Sequence, residues 1–279
     1  MQKNYYILFH NTRVNSPLSS YDKRKSRQSF DRAAHRYDKS AALQQQVAAK
    51  LIALQSKEGV QSVLDIGCGT GQVTAAMCVD YPQANIVALD FAERMLLETE
   101  KRLSVINKSA TLVCADAECL PFVDESFDLI ISSLMLQWSN DLTQNLTHIH
   151  RCLMGKGQLA FSTFTEGTLK EVKASWKSVD GLVHTSDFMG VDTLKQSVEA
   201  AGFRNVQIHQ ETIVSLYPKV REVLMDMKRI GASNAHSDRS KGLTGKQRFA
   251  AFESAYEIFK QADMNYPCTW ELAYVFGEK

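Results

Sequence analysis

The 279-residue chain has no apolar run approaching the roughly 18 residues of a membrane span. Its N-terminal "YYILFH" is too short for the core of a signal peptide, and no small-residue cleavage site follows it. The expectation is a cytoplasmic protein without membrane contact. The six cysteines contain no C-x-x-C pair, so no zinc site is expected and the thiols should be reduced and mostly buried. Net charge is almost absent, at +1, which argues against a general binder of nucleic acid. There is no internal repeat and no low-complexity tract. "HIH" supplies His148 and His150, but residues two apart do not share a helix face. Both are expected on the solvent side, and no metal site is expected from them.

What the chain does have is enough apolar content, 44%, for a sizeable core. Residues 1–21 show no period and end in "NSPLSS", which predicts a flexible leader. From about 26 to 55, Phe30, Ala34, Tyr37, Ala41, Val47, Leu51 and Leu54 follow a helical period. Strands are then expected at Ser62–Gly67, Asn85–Asp90, Thr111–Ala115, Phe127–Leu134 and Gly157–Phe164, with helices at about 71–80, 92–105 and 141–154 between them. Such alternation predicts right-handed βαβ units and a parallel sheet. A helix at about 191–201, a strand from Asn205 to about Leu216 and a last strand in "TWELAYVFG" follow. Residues 165–190 fit neither a strand nor a short loop, and 218–262 hold two helices joined by a polar, glycine-bearing linker. These two segments read either as a lid over the site or as ordinary packing on the sheet edge.

"VLDIGCGTGQVT", Val63 to Thr74, places Gly67, Gly69 and Gly71 directly after an apolar strand and before a helix. Strand, glycine loop and helix in this order open a nucleotide site in an α/β sheet. A dinucleotide fingerprint is G-x-G-x-x-G, and here Gln72 stands where its third glycine should fall. Asp65 is also unexplained by a pyrophosphate site, whereas a carboxylate suits a ligand with an ammonium or sulfonium charge. Asp90 ends the second strand, where an acid can hold ribose hydroxyls. Asp116 ends the third, where an acid can accept from the exocyclic amine of adenine. Any one of these acids could be a turn or cap residue. Together, at successive strand ends, they converge on one crevice.

"VLDIGCGTG", "LDFAERML", "CADAECLPF" and "FDLIISSLMLQW" resemble the successive motifs of class I S-adenosylmethionine-dependent methyltransferases over about residues 60–165. The resemblance implies an α/β fold with a Rossmann-like sheet of seven strands and an antiparallel last hairpin. It implies S-adenosylmethionine as methyl donor. Gly67 and its neighbours would then face its methionine part, Asp90 the ribose and Asp116 the adenine, and Gln44, Asp65, Cys68, Gly69, Gly71, Phe91, Ala117 and Ser133 complete the expected cofactor-binding set.

The flanks narrow the resemblance. "SFDRAAHRYDKSAALQQQ", "FSTFTEGTLKEVKASWKSVD", "MKRIGAS" and "YPCTWELAYVFGEK" are similar to the malonyl-acyl-carrier-protein O-methyltransferase family of biotin synthesis, from about residue 22 onward. That likeness implies a methyltransferase domain over 22–279 with lid segments 22–55, 165–190 and 218–262. It implies an acyl carrier protein as partner, though a coenzyme A thioester is not excluded as acceptor. Segments 22–50 and 218–248 each hold eight Lys/Arg against three acids in a chain of net charge +1. Such runs are usually solvated faces, yet two of them beside an otherwise acidic body suit an acidic partner.

By the same likeness Lys228 would orient the malonyl carboxylate. Arg32 is the second candidate, although its spacing from Phe30 equally fits an exposed helix position. Tyr37 and Phe188 match aromatic positions of the family, and Tyr37 reads equally as core packing. Gln137 and Trp138 would shape the pocket. The alternatives are a methyltransferase of another small carboxylic acid and a non-catalytic S-adenosylmethionine-binding protein.

Overall fold

The structure, a computed structural model, describes residues 6–8, 42–55, 58–182, 184–230 and 245–279. Its centre is a mixed sheet. The strands are β1 (Tyr6–Leu8), β2 (Ser62–Ile66), β3 (Asn85–Asp90), β4 (Thr111–Cys114), β5 (Phe127–Ser133), β6 (Leu153–Phe164), β7 (Arg204–Tyr217) and β8 (Tyr266–Glu278). They lie in the order β1-β4-β3-β2-β5-β6-β8-β7. Strands β1 to β6 pair in parallel, and β8 is antiparallel to both β6 and β7. The seven expected strands, β2 to β8, are all present with the antiparallel final hairpin. Tyr6–Leu8, inside the segment read as a leader, adds an eighth strand beside Leu112–Cys114.

Eight helices surround the sheet among the described residues: α1 (Ala42–Leu54), α2 (Gln72–Asp80), α3 (Glu93–Val105), α4 (Leu142–Cys152), α5 (Lys170–Val179), α6 (Val191–Ala200), α7 (Val220–Ile230) and α8 (Lys246–Tyr256). Alternate strand residues point to opposite faces, so Val63 joins one core and Leu64 and Ile66 the other. The first core takes Val47 and Leu51 of α1, Val73 and Met77 of α2, Leu96 of α3, Trp176 of α5 and Phe252 of α8. The second takes Leu146 and Ile149 of α4 and Leu194 and Val198 of α6. Each such side chain, fully buried, contributes about 1.5–3 kcal/mol. Helix starts follow local chemistry. The Asp141 carboxylate caps α4 by accepting the Gln144 amide at 2.9 Å.

The segment 165–190 is built around α5. Its Trp176 stacks between His184 and Phe252, at ring-centroid distances of 3.9 and 4.4 Å. Asp180 accepts from His184 Nε2 and from Arg248 of α8. Glu171, buried at the start of α5, accepts the Thr269 amide at 3.0 Å and its hydroxyl. These bonds fix the inserted helices to β8 and to each other. No helix of the described residues is long and apolar enough to cross a membrane.

Candidate functional site

Beyond the carboxyl ends of β2, β3, β4 and β5 the parallel sheet opens a crevice, because the connections from β2 and from β5 run in opposite directions. The chain leaves β2 into Gly67-Cys68-Gly69. The Gly67 and Cys68 amides both donate to Leu89 O, at 2.8 and 3.0 Å, which ties the loop to the end of β3. Asp90, the next residue, completes the tie. Its Oδ2 accepts the Gly69 amide at 2.9 Å and its Oδ1 accepts the Ala92 amide at 2.8 Å. Each carboxylate oxygen has a second lone pair, so Asp90 can hold the loop and still accept from a ligand.

The glycines differ in what they permit. Gly69 has φ +55°, and a Cβ built there would meet no atom of the other described residues within 4 Å. The space beside it is therefore open to a ligand. Gly71 has φ +80°, and a Cβ there would fall on the Thr99 side chain. That glycine lets α2 approach α3, and Thr99 Oγ1 in turn donates to Gly69 O at 2.9 Å.

The cleft encloses about 810 Å³, open mouth included, and Gly67, Gly69, Asp90, Phe91, Asp116, Ala117 and Ser133 line it together. Asp116 Oδ1 accepts the Glu118 amide at 3.0 Å, which turns the chain over the end of β4. Ser133 lies 3.2 Å from Ser162, Oγ to Oγ. Apolar walls come from Leu89, Met95, Leu134 and Met135, and Trp138 lines the cleft as the sequence suggests. Among the lining residues the titratable groups are carboxylates, Asp90, Asp116 and Glu118. The site is thus built to accept hydrogen bonds from hydroxyls and amines, and to enclose an apolar or cationic group. A ribonucleoside with a positively charged tail fits this donor and acceptor set, and a pyrophosphate does not.

Four expected cofactor residues, Gln44, Asp65, Cys68 and Gly71, are not among those that line the cleft. Asp65 is 1% exposed, and its Oδ2 accepts from Thr74 Oγ1 of α2 at 2.6 Å. Strand alternation sends its side chain to the core opposite Leu64 and Ile66. Burial, partly offset by the Thr74 bond and reinforced by the Asp90 charge, pushes its carboxyl up from 3.8 to about 7. The Cys68 thiol turns to Thr99 Oγ1, 3.7 Å away, and Gly71 serves helix packing. Next to Gln44 on α1, Gln45 O accepts from Gln72 Nε2 of α2 at 3.2 Å. Gln44 Oε1 is buried without a partner among the described residues.

Phe188 does not line the cleft. Its ring lies 5.4 Å from Phe164, which ends β6, and Phe164 lies 5.3 Å from Trp270. Gln137 accepts from Thr163 Oγ1 at 3.4 Å and donates to Leu134 O at 2.8 Å, supporting the wall from behind. Arg32 and Tyr37 lie outside the described residues. Lys228 belongs to α7, but its side chain lies outside what is described.

The histidines depart from the expected solvent position. Both are half-buried, His148 Nδ1 3.0 Å from Glu118 O and the His150 ring against Phe203 at 5.1 Å. Among the described residues no group of three His, Cys, Asp or Glu could hold a metal ion. Five cysteines are buried and Cys119 is exposed, all as free thiols. Sequence reasoning missed Glu118, Met135, Ser139 and Asn145 in the lining. Of these, Asn145 left a signal: a polar residue within the apolar stripe of Leu142, Leu146 and Ile149.

The pattern described as a methyltransferase domain matches residues 64–161. A malonyl-[acyl-carrier protein] O-methyltransferase of Laribacter hongkongensis is 36% identical over 262 residues, covering 91% of this chain and 88% of that protein. The biotin biosynthesis bifunctional protein BioHC of Teredinibacter turnerae is 34% identical over 277 residues, 96% of this chain and 49% of that protein. Among solved structures, a phosphoethanolamine N-methyltransferase of Haemonchus contortus in complex with S-adenosyl-L-methionine aligns with a TM-score of 0.55 and 19% identity. That alignment covers 89% of this chain and 57% of the other.

Proposed function

The chain belongs to the malonyl-[acyl-carrier protein] O-methyltransferases, and from that premise we propose that it methylates the free carboxylate of malonyl-acyl-carrier protein. The product, a malonyl methyl ester, would prime pimeloyl synthesis for biotin. One observation carries the choice of acceptor. The likeness extends over 91% of the chain, far past the methyltransferase pattern at 64–161 and through the segments that flank it.

S-adenosylmethionine, when bound, supplies a methyl group already activated on a positively charged sulfur. Asp90 would hold the ribose and Asp116 the adenine amine, with Phe91 and Met135 closing the apolar walls. Gln44 would offer its unpartnered oxygen to a donor at the glycine-loop end. The malonyl carboxylate has an ordinary pKa near ~4 and is already ionised at neutral pH, so no general base is needed. The chain's task is to align the reacting atoms and exclude water. Lys228 would orient the carboxylate as a point charge from α7, with Arg32 the second candidate. Phe188 and Tyr37 would close the acceptor side. The basic segments 22–50 and 218–248 would meet the acidic carrier, except for Arg248, which Asp180 already engages.

A panel of thioesters tests this reading. Malonyl thioesters should accept the methyl group, and acetyl thioesters, which lack the free carboxylate, should not. Equal transfer to both would refute carboxylate methylation.

A further inference from the structure

Asn145 sits on the sheet-facing side of α4, where its neighbours Leu146 and Ile149 are fully buried. It is 2% exposed and lines the cleft, and among the described residues its Oδ1 has no hydrogen-bond partner. A buried amide oxygen without a donor is destabilising, and native proteins rarely leave one unless something else is to fill the place.

A neighbour fixes how the amide faces. Ser139 Oγ donates its single proton to Asp141 O at 3.0 Å. Toward Asn145 it can therefore only accept. The atom that faces it at 3.4 Å is Nδ2, and Oδ1 has no donor among the described residues. The helix is also latched to one end of the cleft. His148 Nδ1 lies 3.0 Å from Glu118 O. Asn140, just ahead of α4, gives its amide N–H and its Nδ2 to Glu118 Oε1 at 2.8 and 3.1 Å. These bonds tie α4 to the loop of Asp116, Ala117 and Glu118, which lines the cleft together with Asn145.

Under the function proposed above, on which this inference rests, that loop is the adenine end. The ribose hydroxyls belong to Asp90. The donor remaining at Asp116 is the exocyclic amine, which has two hydrogens. We propose that Asn145 Oδ1 accepts one of them, so that this residue binds the base and selects adenine over a purine carrying a carbonyl at that position. An amide oxygen facing a carbonyl oxygen would have no proton between them, whereas facing the amine it gains the bond it lacks.

Calorimetric titration with S-adenosylhomocysteine and S-inosylhomocysteine tests this on the wild-type protein, Asn145→Leu and Asn145→Ala. The wild type should favour the adenosyl ligand. Both variants should lose tenfold or more of that preference, chiefly through weaker adenosyl binding. An unchanged preference in a folded variant, or an equal loss for both ligands, overturns the proposal and leaves Asn145 as a wall residue. Should the Leu variant fail to fold, Ala, which suits a helix interior, carries the test. A wild-type protein that binds neither ligand has a different signature: it overturns the proposed function and this inference with it.

Discussion

The Asp90 carboxylate accepts the Gly69 amide at 2.9 Å, so the acid that ends β3 holds the glycine loop that follows β2. One residue thereby shapes the loop and lines the cleft. Asp90→Ala should weaken S-adenosylmethionine binding by about 1.5–3 kcal/mol, the range for losing a charged hydrogen-bond partner. Asp90→Asn has one acceptor atom for two amides and should fall between. Calorimetry on folded variants checks this, and unchanged affinity would remove Asp90 from the site.

The loop glycines should fail in different ways. Gly69→Ala places a methyl in open space at φ +55°, so the fold should bear only the left-handed backbone cost of about 1–2 kcal/mol. Cofactor binding should be lost, because the methyl stands at the cleft wall. Gly71→Ala drives a methyl into Thr99 and should lower the melting temperature whether or not a ligand is present. Thermal melts with and without S-adenosylhomocysteine separate the two, and identical behaviour would contradict the assignment.

Asp65 predicts a dependence on pH. Its folded-state carboxyl is raised to about 7 from 3.8. Between those values the unfolded chain ionises while the folded protein keeps its proton, so stability falls as pH rises through that window and levels off above it. Asp65→Asn cannot ionise and should remove this fall. Urea melts near pH 4.5 and pH 8 should show the Asn variant gaining on wild type at the higher pH. Parallel stabilities would mean that Asp65 is ionised in the folded protein at neutral pH.

Lys228→Met keeps most of the apolar stem and deletes the charge. Cofactor affinity should stay, and turnover of malonyl-carrier protein should drop tenfold or more, about 1.4 kcal/mol of transition-state stabilisation. Wild-type turnover would move the role to Arg32.

Much of the fold is legible in the chain because short apolar runs, glycine loops and helical spacings follow one another. The apolar run Val63, Leu64 and Ile66, the glycines after it, and then Val73, Ala76 and Met77 at helical spacing announce strand, loop and helix before any contact is known. Strand alternation places Asp65 on the face opposite Leu64 and Ile66, where its carboxyl meets Thr74 of α2. Helix α5 was less visible, because its buried positions include Glu171 and Ser175 beside Val172 and Trp176. Ser175 Oγ donates to Glu171 O one turn back, whereas the Glu171 carboxylate is satisfied by Thr269 of β8, a long-range pairing that no local pattern reports. Strand β1 is three residues long and has no period to read. Asn145 is the legible exception among the residues missed, because a polar side chain interrupts the apolar stripe of Leu142, Leu146 and Ile149.

The central claim is that the malonyl carboxylate on an acyl carrier protein receives the methyl group. Intact-mass spectrometry of malonyl-acyl-carrier protein, incubated with this protein and S-adenosylmethionine, tests it most directly. The account predicts a gain of one methyl group, located by fragmentation on the malonyl terminus and absent from the acetylated carrier. No gain on the malonyl carrier, or a methyl found on the carrier polypeptide itself, would contradict it.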